Sequence, residues 1–181
     1  MQSRFRALSP WWLAALALAL LLQTGISQGK TDRFNPPVKV PEFNLPGLDG
    51  QKHALSDYRG RPLVISVWAS WCAPCKAELP EFARARRELA GRFPDAVFTT
   101  VNLGESGARA KTWMDKTGLG LPVWLATMKF MDDYGLMVVP AILVFDGEGR
   151  VAVLHQGWTN DTNLVEELGQ DLASLARQTS Y

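Results

Sequence analysis

The chain has 181 residues, of which 47% are hydrophobic and 20% are charged, as expected for one globular domain with a full core. Its 19 Lys and Arg residues nearly balance its 18 Asp and Glu residues, which leaves a net charge of +1. This balance gives no support to nucleic-acid binding, which needs a basic face, so no nucleic-acid partner is predicted.

The first 28 residues differ in character from the rest. Arg4 and Arg6 precede the apolar run WWLAALALALLL, and a small, polar stretch follows it. A basic start, an apolar run of about 7–15 residues and a small-residue flank are typical of a secretory signal, whereas a membrane span needs about 20 apolar residues. Residues 1–28 are therefore predicted to be a cleaved signal or a short retained membrane anchor. Both interpretations place the domain outside the cytoplasm, in a bacterial periplasm or on the outer face of the inner membrane.

The first elements of the exported part are short. Residues 29–40 are polar and contain prolines, so they are predicted to be a linker to a domain over 41–178. Turn signals at Pro46-Gly47 and Asp49-Gly50 predict a small β-hairpin. The run RPLVISVW predicts a buried central strand, and the apolar spacing after it predicts a helix that stops near Gly91.

The second half alternates strands and helices. In chain order we predict a strand over 96–103, a helix over 108–118, a strand over 121–127, a hairpin over 139–158 and a helix over 162–176 capped by Thr159. Strand-helix-strand units form parallel pairs with right-handed crossovers, and the final hairpin adds antiparallel strands. The fold class is therefore α/β, with a mixed central sheet flanked by helices.

Two cysteines, the only ones in the chain, lie in the stretch SVWASWCAPCKAELP at 66–80. Pro74 suits the first turn of a helix, which places Cys72 at the helix N-terminus. Free N–H groups and the helix dipole favour a thiolate there, and Cys75 lies one turn further on. Cys72 is predicted to be the nucleophile, and Cys75 the resolving thiol, of a disulfide exchanged with a partner.

A cysteine pair of this spacing has two other common roles, in a zinc site and in a structural disulfide. A zinc site needs four ligands, and His53 and His155 lack ligand spacing, so they are predicted to be structural or surface residues. A structural staple is common in exported proteins, but a four-residue loop constrains the unfolded chain little. No metal and no cofactor beyond the disulfide are predicted. Three methionines lie close together in the sequence: Met128, Met131 and Met137. Their sulfur atoms are suitable ligands for Cu(I), although methionine also fills gaps in protein cores. A copper-binding module is therefore an alternative function.

The motif WCAPCK after a buried strand, with Pro80 five residues after Cys75, resembles the thioredoxin superfamily. The stretch from PEFNLPGLDG to ASWCAPC is similar to the opening of TlpA/ResA-type proteins, which are exported and often membrane-tethered thioredoxins. VNLGES and LPVWLA resemble their inserted strand-helix segment. The resemblance spans residues 40–175 and implies a thioredoxin-like fold. It also implies a cis Val139–Pro140 peptide facing the disulfide.

The resemblance assigns further site residues. Ser66 stands where thioredoxins have a buried Asp, and Glu78 stands where ResA-like proteins have a Glu near the active site. Glu78 is predicted to accept the proton of the resolving thiol, with burial raising its pKa; the alternative is a solvated helix residue. Trp71, Pro74, Val139 and Ala141 are predicted to contact the partner, although many family members have Thr in place of Ala141. Trp68 is assigned to core packing.

The function that the resemblance implies is an extracytoplasmic thiol:disulfide oxidoreductase that reduces disulfides of exported proteins. Its substrates would be of the cytochrome c maturation or copper-centre assembly type, and a membrane electron donor of the DsbD or CcdA type would recharge it. The CcmG-type signature GVxGxPET is absent from YGLMVVPAIL. A disulfide-forming oxidant of the same fold and a Cu(I) or protein chaperone remain alternatives. The chain is predicted to be a monomer.

Overall fold

Eight strands and four helices form the part of the chain that the computed structural model describes, residues 29–178. The strands are β1 (Lys30–Val38), β2 (Asn44–Pro46), β3 (Lys52–Ala54), β4 (Leu63–Trp68), β5 (Val97–Leu103), β6 (Val123–Ala126), β7 (Ala141–Phe145) and β8 (Val151–Gln156). The helices are α1 (Ala73–Leu89), α2 (Gly107–Thr117), α3 (Lys129–Asp133) and α4 (Leu164–Gln178), with a 3₁₀ turn over Leu55–Tyr58. No helix within residues 29–178 is long and apolar enough to cross a bilayer.

Six of the strands form one mixed sheet in the order β1-β8-β7-β4-β5-β6. The pairs β4–β5 and β5–β6 are parallel, and the remaining neighbours are antiparallel. Strand β4 is central and all six of its residues are buried, because helices or loops cover both faces of the sheet at this point. The predicted mixed sheet and the predicted hairpin, β2–β3, are both confirmed.

The two faces of the sheet carry two separate cores. One core packs α1, α2 and α4 against residues such as Val64, Trp68 and Ile142. The other lies under α3 and the N-terminal hairpin region, with Phe43 and Trp124 among its members. Because both faces of the sheet are covered, β4 is held in a fixed position. The start of α1, which follows β4 in the chain, therefore also lies at a defined place.

Residues 29–40 are not the linker that their composition predicts. Lys30–Val38 forms edge strand β1, which pairs antiparallel with β8. The strand lacks the apolar alternation that predicts a strand, because polar side chains make its contacts. Thr31 Oγ1 lies 2.9 Å from His155 Nδ1, and Arg33 Nε donates to Asp171 Oδ1 at 3.1 Å. The register shifts between Arg33 and Val38, and the two prolines fall in this irregular part, as prolines in sheets usually do.

The helix boundaries differ from the predictions in small ways. Helix α1 ends at Leu89 rather than at Gly91, and α3 was not predicted. Helix α4 begins at Leu164, where Asn163 Oδ1 accepts the Glu166 N–H at 3.4 Å; Thr159 bonds to Thr162 instead. The predicted signal or anchor, residues 1–28, lies outside the described residues.

The contacts of β1 predict the effect of an Arg33→Gln substitution. Arg33 is half-exposed but pairs with Asp171, which is buried, so the loss of this partner should lower the free energy of unfolding by about 1–2 kcal/mol. Lys30→Gln is the matched control, because its pair with Asp32 is more exposed and should matter by less than about 0.5 kcal/mol. Urea unfolding measures both, and equal losses would show that Arg33 does not anchor β1.

Candidate active site

The cysteine pair lies where β4 runs into α1. Cys72 is the N-cap of α1 and its Sγ accepts the Cys75 N–H at 3.2 Å, and Pro74 is in the first turn, as predicted. The two sulfurs form a disulfide with an S–S distance of 2.03 Å. Both cysteines are buried, Cys75 completely and Cys72 with 4% of its surface exposed. A thiolate at Cys72 would therefore face the open N–H groups of the first turn.

The proline loop faces the disulfide from the neighbouring strand. The Val139–Pro140 peptide is cis, as the family resemblance implies, and the Val139 carbonyl oxygen lies 3.6 Å from Cys72 Sγ. Ala141 opens β7 directly opposite Val67 of β4. This strand pairing brings two segments, 67 residues apart in sequence, to the same end of the sheet.

The predicted partner-contact residues differ in exposure. Trp71 is 63% exposed beside the disulfide, Pro74 is exposed and Val139 is half-buried. Ala141 is buried, so its side chain has no free surface from which to contact a partner. Trp68 is fully buried, in agreement with its assignment to core packing.

Glu78 lies beneath the pair and is almost fully buried, with 1% of its surface exposed. The Ser66 hydroxyl donates to Glu78 Oε1 at 2.7 Å, so the serine that replaces the usual strand Asp holds this carboxyl. Cys75 and Glu78 are three residues apart on α1 and share a face. Burial raises the pKa of Glu78 to about 7, against smaller lowering effects of the Ser66 bond and His155. The alternative of a solvated helix residue is wrong.

Sequence reasoning missed a second acid, Glu105, which follows β5. The Ser70 N–H and hydroxyl donate to its two oxygens at 2.6 and 2.5 Å, and Asn102 Nδ2 donates at 2.8 Å. Burial raises the pKa of Glu105, but these bonds outweigh burial and lower it below the ordinary value. Glu105 thus ties the segment just before Cys72 to β5. Its signal in the sequence is the segment VNLGES, for which the family resemblance implies a strand-helix insertion but no role for the acid.

The two histidines were predicted to be structural or surface residues. His53 lies between Asp49 and Tyr58, with its ring stacked on Trp124 at 4.8 Å between centroids, and so supports the hairpin. His155 is buried, and its Nε2 lies 2.8 Å from Asp171 Oδ2. Burial lowers the pKa of His155, but bonds to Asp171 and Glu167 outweigh burial and raise it.

The three methionines lie near one another in sequence without forming a buried group. Met128 and Met137 are exposed, and Met131 packs partly buried on the core beneath α3. Among residues 29–178, no three His, Cys, Asp or Glu side chains are placed to hold a metal ion. No contact on these methionines favours copper binding, which stays a prediction.

Comparison with known proteins gives the family. The AhpC/TSA family model matches residues 37–154. The chain belongs to the AhpC/TSA family. Within this thioredoxin-like family, the thiol-disulfide oxidoreductase ResA of Bacillus subtilis is 28% identical over 142 residues, which are 78% of each chain. The thioredoxin-like protein YneN of the same organism is 24% identical over 174 residues, covering 88% of this chain and 98% of YneN.

A solved structure shares the architecture. The exposed lipoprotein thioredoxin of Streptococcus pneumoniae aligns with a TM-score of 0.61 at 30% identity, covering 72% of this chain and 99% of that one. The fold, the Cys-x-x-Cys disulfide at a helix N-terminus and these relatives make the chain a thioredoxin-like thiol-disulfide oxidoreductase of the ResA type.

The bond between Ser66 and Glu78 predicts how a Ser66→Ala protein titrates. This hydroxyl stabilises the charged carboxylate, so its loss should raise the Glu78 pKa by about 1 from its wild-type value, given that a hydrogen bond to a charged group contributes about 1.5–3 kcal/mol. NMR titration of ¹³C-labelled glutamate carboxyls measures the change. Thr99→Val is the control, because the Thr99 hydroxyl on β5 bonds the Pro122 carbonyl instead. An unchanged Glu78 pKa in Ser66→Ala would mean that the hydroxyl does not stabilise this carboxylate.

Proposed function

We propose that the chain is a reductant of protein disulfides that works outside the cytoplasm. The observation that carries the proposal is the buried carboxyl of Glu78, one helical turn beyond Cys75 and bonded to Ser66. A group with a pKa of about 7 can both take up and release a proton near neutral pH, which is the property that a general base needs.

The proposed exchange takes place in two displacements. The Cys72 thiolate attacks a substrate disulfide, an S–S bond forms between enzyme and substrate, and the first substrate sulfur leaves as a thiolate. The Cys75 thiol then gives its proton to the Glu78 carboxylate and attacks Cys72 Sγ. The enzyme disulfide forms, the second substrate thiolate leaves, and two electrons have passed from the enzyme to the substrate.

The charge of Glu78 also favours the reducing direction. A carboxylate beside the pair disfavours a second negative charge on Cys75, and this raises the free energy of the reduced protein relative to the disulfide. The opposite arrangement, a strongly stabilised reduced form, makes DsbA an oxidant at about −120 mV. The helix N-terminus still favours a thiolate at Cys72, the sulfur that must attack.

The cellular setting belongs to the same proposal. The substrates are exported proteins with disulfides, with apocytochrome c and copper-centre assembly proteins as the two classes suggested by the resemblance to TlpA/ResA-type proteins. Oxidised enzyme must regain two electrons, and the proposed source is a membrane donor of the DsbD or CcdA type. The relatives support export, since the streptococcal structure is named an exposed lipoprotein.

The reduction potential of the Cys72–Cys75 pair tests the direction of transfer. The protein is equilibrated in glutathione buffers of known potential and followed by the fluorescence of Trp71, which lies beside the disulfide. We expect a value near or below thioredoxin's, about −270 mV. A value near that of DsbA, about −120 mV, would identify an oxidant and overturn the reductant assignment while leaving the fold in place.

A Glu78→Gln protein tests the proton acceptor. In the wild type, oxidation of the reduced protein by a disulfide peptide should accelerate as pH rises through about 7, because Glu78 is ionised only above its pKa. The variant should lose this part of the pH profile and react roughly 100-fold more slowly at pH 8, the lower end of the range for a direct acid–base group. Stopped-flow fluorescence measures the rate.

The matched control for this experiment is Glu81→Gln. Glu81 lies on the same helix but is partly exposed and pairs with Arg84, so its loss should leave rate and pH profile unchanged. Ionisation of Cys72 contributes to the profile of every variant, and the comparison therefore uses the difference between Glu78→Gln and wild type. If that difference vanishes at all pH values, Glu78 is not the proton acceptor.

A further inference from the structure

Two buried titratable groups from different elements line one cavity behind the disulfide. The cavity has a volume of about 380 Å³ and lies between the β1–β8 edge of the sheet and the start of α4. Glu78 of α1 and His155 of β8 both line it, and so does Glu167 of α4. Glu167 is 37% exposed, so the cavity connects the buried acid to a group at the protein surface.

The strand register places these groups in a row. Thr31 lies opposite His155, His155 opposite Ile142, and Ile142 opposite Ser66. Strands are about 4.8 Å apart, so the backbones at Ser66 and His155 are separated by roughly 10 Å. The side chain of Glu78, bonded to Ser66, sits at the inner end of this row. Ile142 interrupts the polar row, and the cavity that it also lines passes over it.

His155 is held in a defined orientation. Its Nε2 lies 2.8 Å from Asp171 Oδ2, and Asp171 is buried and acceptor-only when ionised, so Nε2 carries the proton of this bond. Nδ1 is then the nitrogen that exchanges protons. It lies 2.9 Å from Thr31 Oγ1 and 3.4 Å from Glu167 Oε2.

We propose that His155 is the proton-transfer residue that connects Glu78 with solvent. The inference rests on the proposed role of Glu78 as acceptor of the Cys75 proton. After each turnover the proton leaves Glu78, passes through water in the cavity to Nδ1 of His155, and continues to Glu167 and bulk solvent. The same path returns a proton to Glu78 when the disulfide is reduced again, so no net charge is left in the core.

The surroundings suit this transfer. A water molecule takes about 30 Å³ of liquid volume, so the cavity admits several waters. Trp158 also lines the cavity, and its buried Nε1 has no hydrogen-bond partner among the described residues; a buried donor of this kind usually bonds to water. Because carboxylates of α4 flank both ring nitrogens, His155 can carry a positive charge briefly while the proton passes.

The charged groups around His155 come from each element packed against it. They are Glu78 from α1, Glu167 and Asp171 from α4, Lys30 and Arg33 from β1, and Asp161 from the segment before α4. Arg33 pairs with Asp171, and Lys30 pairs with Asp32. Glu167 faces Nδ1 and has no cation among these pairs. It is therefore the last protein group on the path before bulk solvent.

The test compares His155→Gln with wild type in the full chain. Glutamine retains polar atoms in the row but cannot relay a proton. Repeated turnover with a disulfide peptide, in which a small dithiol re-reduces the enzyme, should slow by roughly tenfold near pH 7, because the proton then leaves Glu78 more slowly after each turnover. This is less than the about 10²–10⁴ of a direct acid–base group, since Glu78 still takes the Cys75 proton. The slow rate should rise with the concentration of added imidazole, and the wild-type rate should not.

Control variants distinguish a failure of the His155 relay from a failure of the proposed role of Glu78. His53→Gln removes a histidine that also bonds a carboxylate, outside the Cys72 region, and should leave the rate unchanged and insensitive to imidazole. If Glu78→Gln is slow while His155→Gln matches wild type, the relay is overturned and the proposed function stands. If both variants match wild type, the role of Glu78 falls as well.

A second variant covers the case in which His155→Gln does not fold. Glu167→Gln changes a partly exposed group and should slow the reaction by about threefold, with an increased solvent deuterium isotope effect, because proton release becomes part of the slow step. A wild-type rate and isotope effect in Glu167→Gln, together with wild-type stability in urea, would overturn the path through Glu167.

Discussion

The electrostatics around the disulfide depend on one ionisable carboxyl, Glu78, which is buried between β4 and α1. Glu78 has a single described hydrogen bond, from Ser66, whereas Glu105 has three donors on its two oxygens. The same side chain therefore has opposite pKa shifts at two places in one protein. Burial penalises the charged form in both, but Glu78 is more completely desolvated and has fewer donors, whereas Glu105 also lies near Arg109. Glu105 remains an anion that holds a loop, whereas Glu78 has a pKa of about 7, at which a carboxyl can both take up and release a proton near neutral pH.

Local sequence was sufficient for the elements that carry their own signal. The buried run of β4, the helix after the cysteines and the final hairpin follow from apolar spacing and turn residues, and Pro74 alone places Cys72 at a helix N-terminus. Strand β1 was not predicted, because its stabilising contacts are polar and join residues more than 100 positions apart in sequence. Thr31 bonds His155, and Arg33 bonds Asp171. Propensity cannot register an edge strand of this kind.

In the candidate site, too, some residues could be predicted from the sequence and others could not. The cysteines were predictable from their spacing, and the proline loop and Glu78 from family resemblance. The hydrogen bond between Ser66 and Glu78 was not, because Ser66 comes twelve residues earlier and meets Glu78 only where α1 packs on β4. His155 was interpreted as structural since a lone histidine usually is. Its bond to Asp171 arises only when α4 packs on β8, and neither residue carries a motif.

The sheet has two edges, and each carries a feature that limits further pairing. On the β1 side, Pro36 and Pro37 provide no N–H groups and the register is irregular. On the β6 side, the hairpin region crosses the strand, with the Leu48 N–H donating to the Val123 carbonyl at 2.9 Å. Exposed sheet edges are templates for aggregation. For the proposed reductant of exported proteins, whose clients have exposed backbone before they fold, these two features limit the addition of a client strand to the sheet of the enzyme.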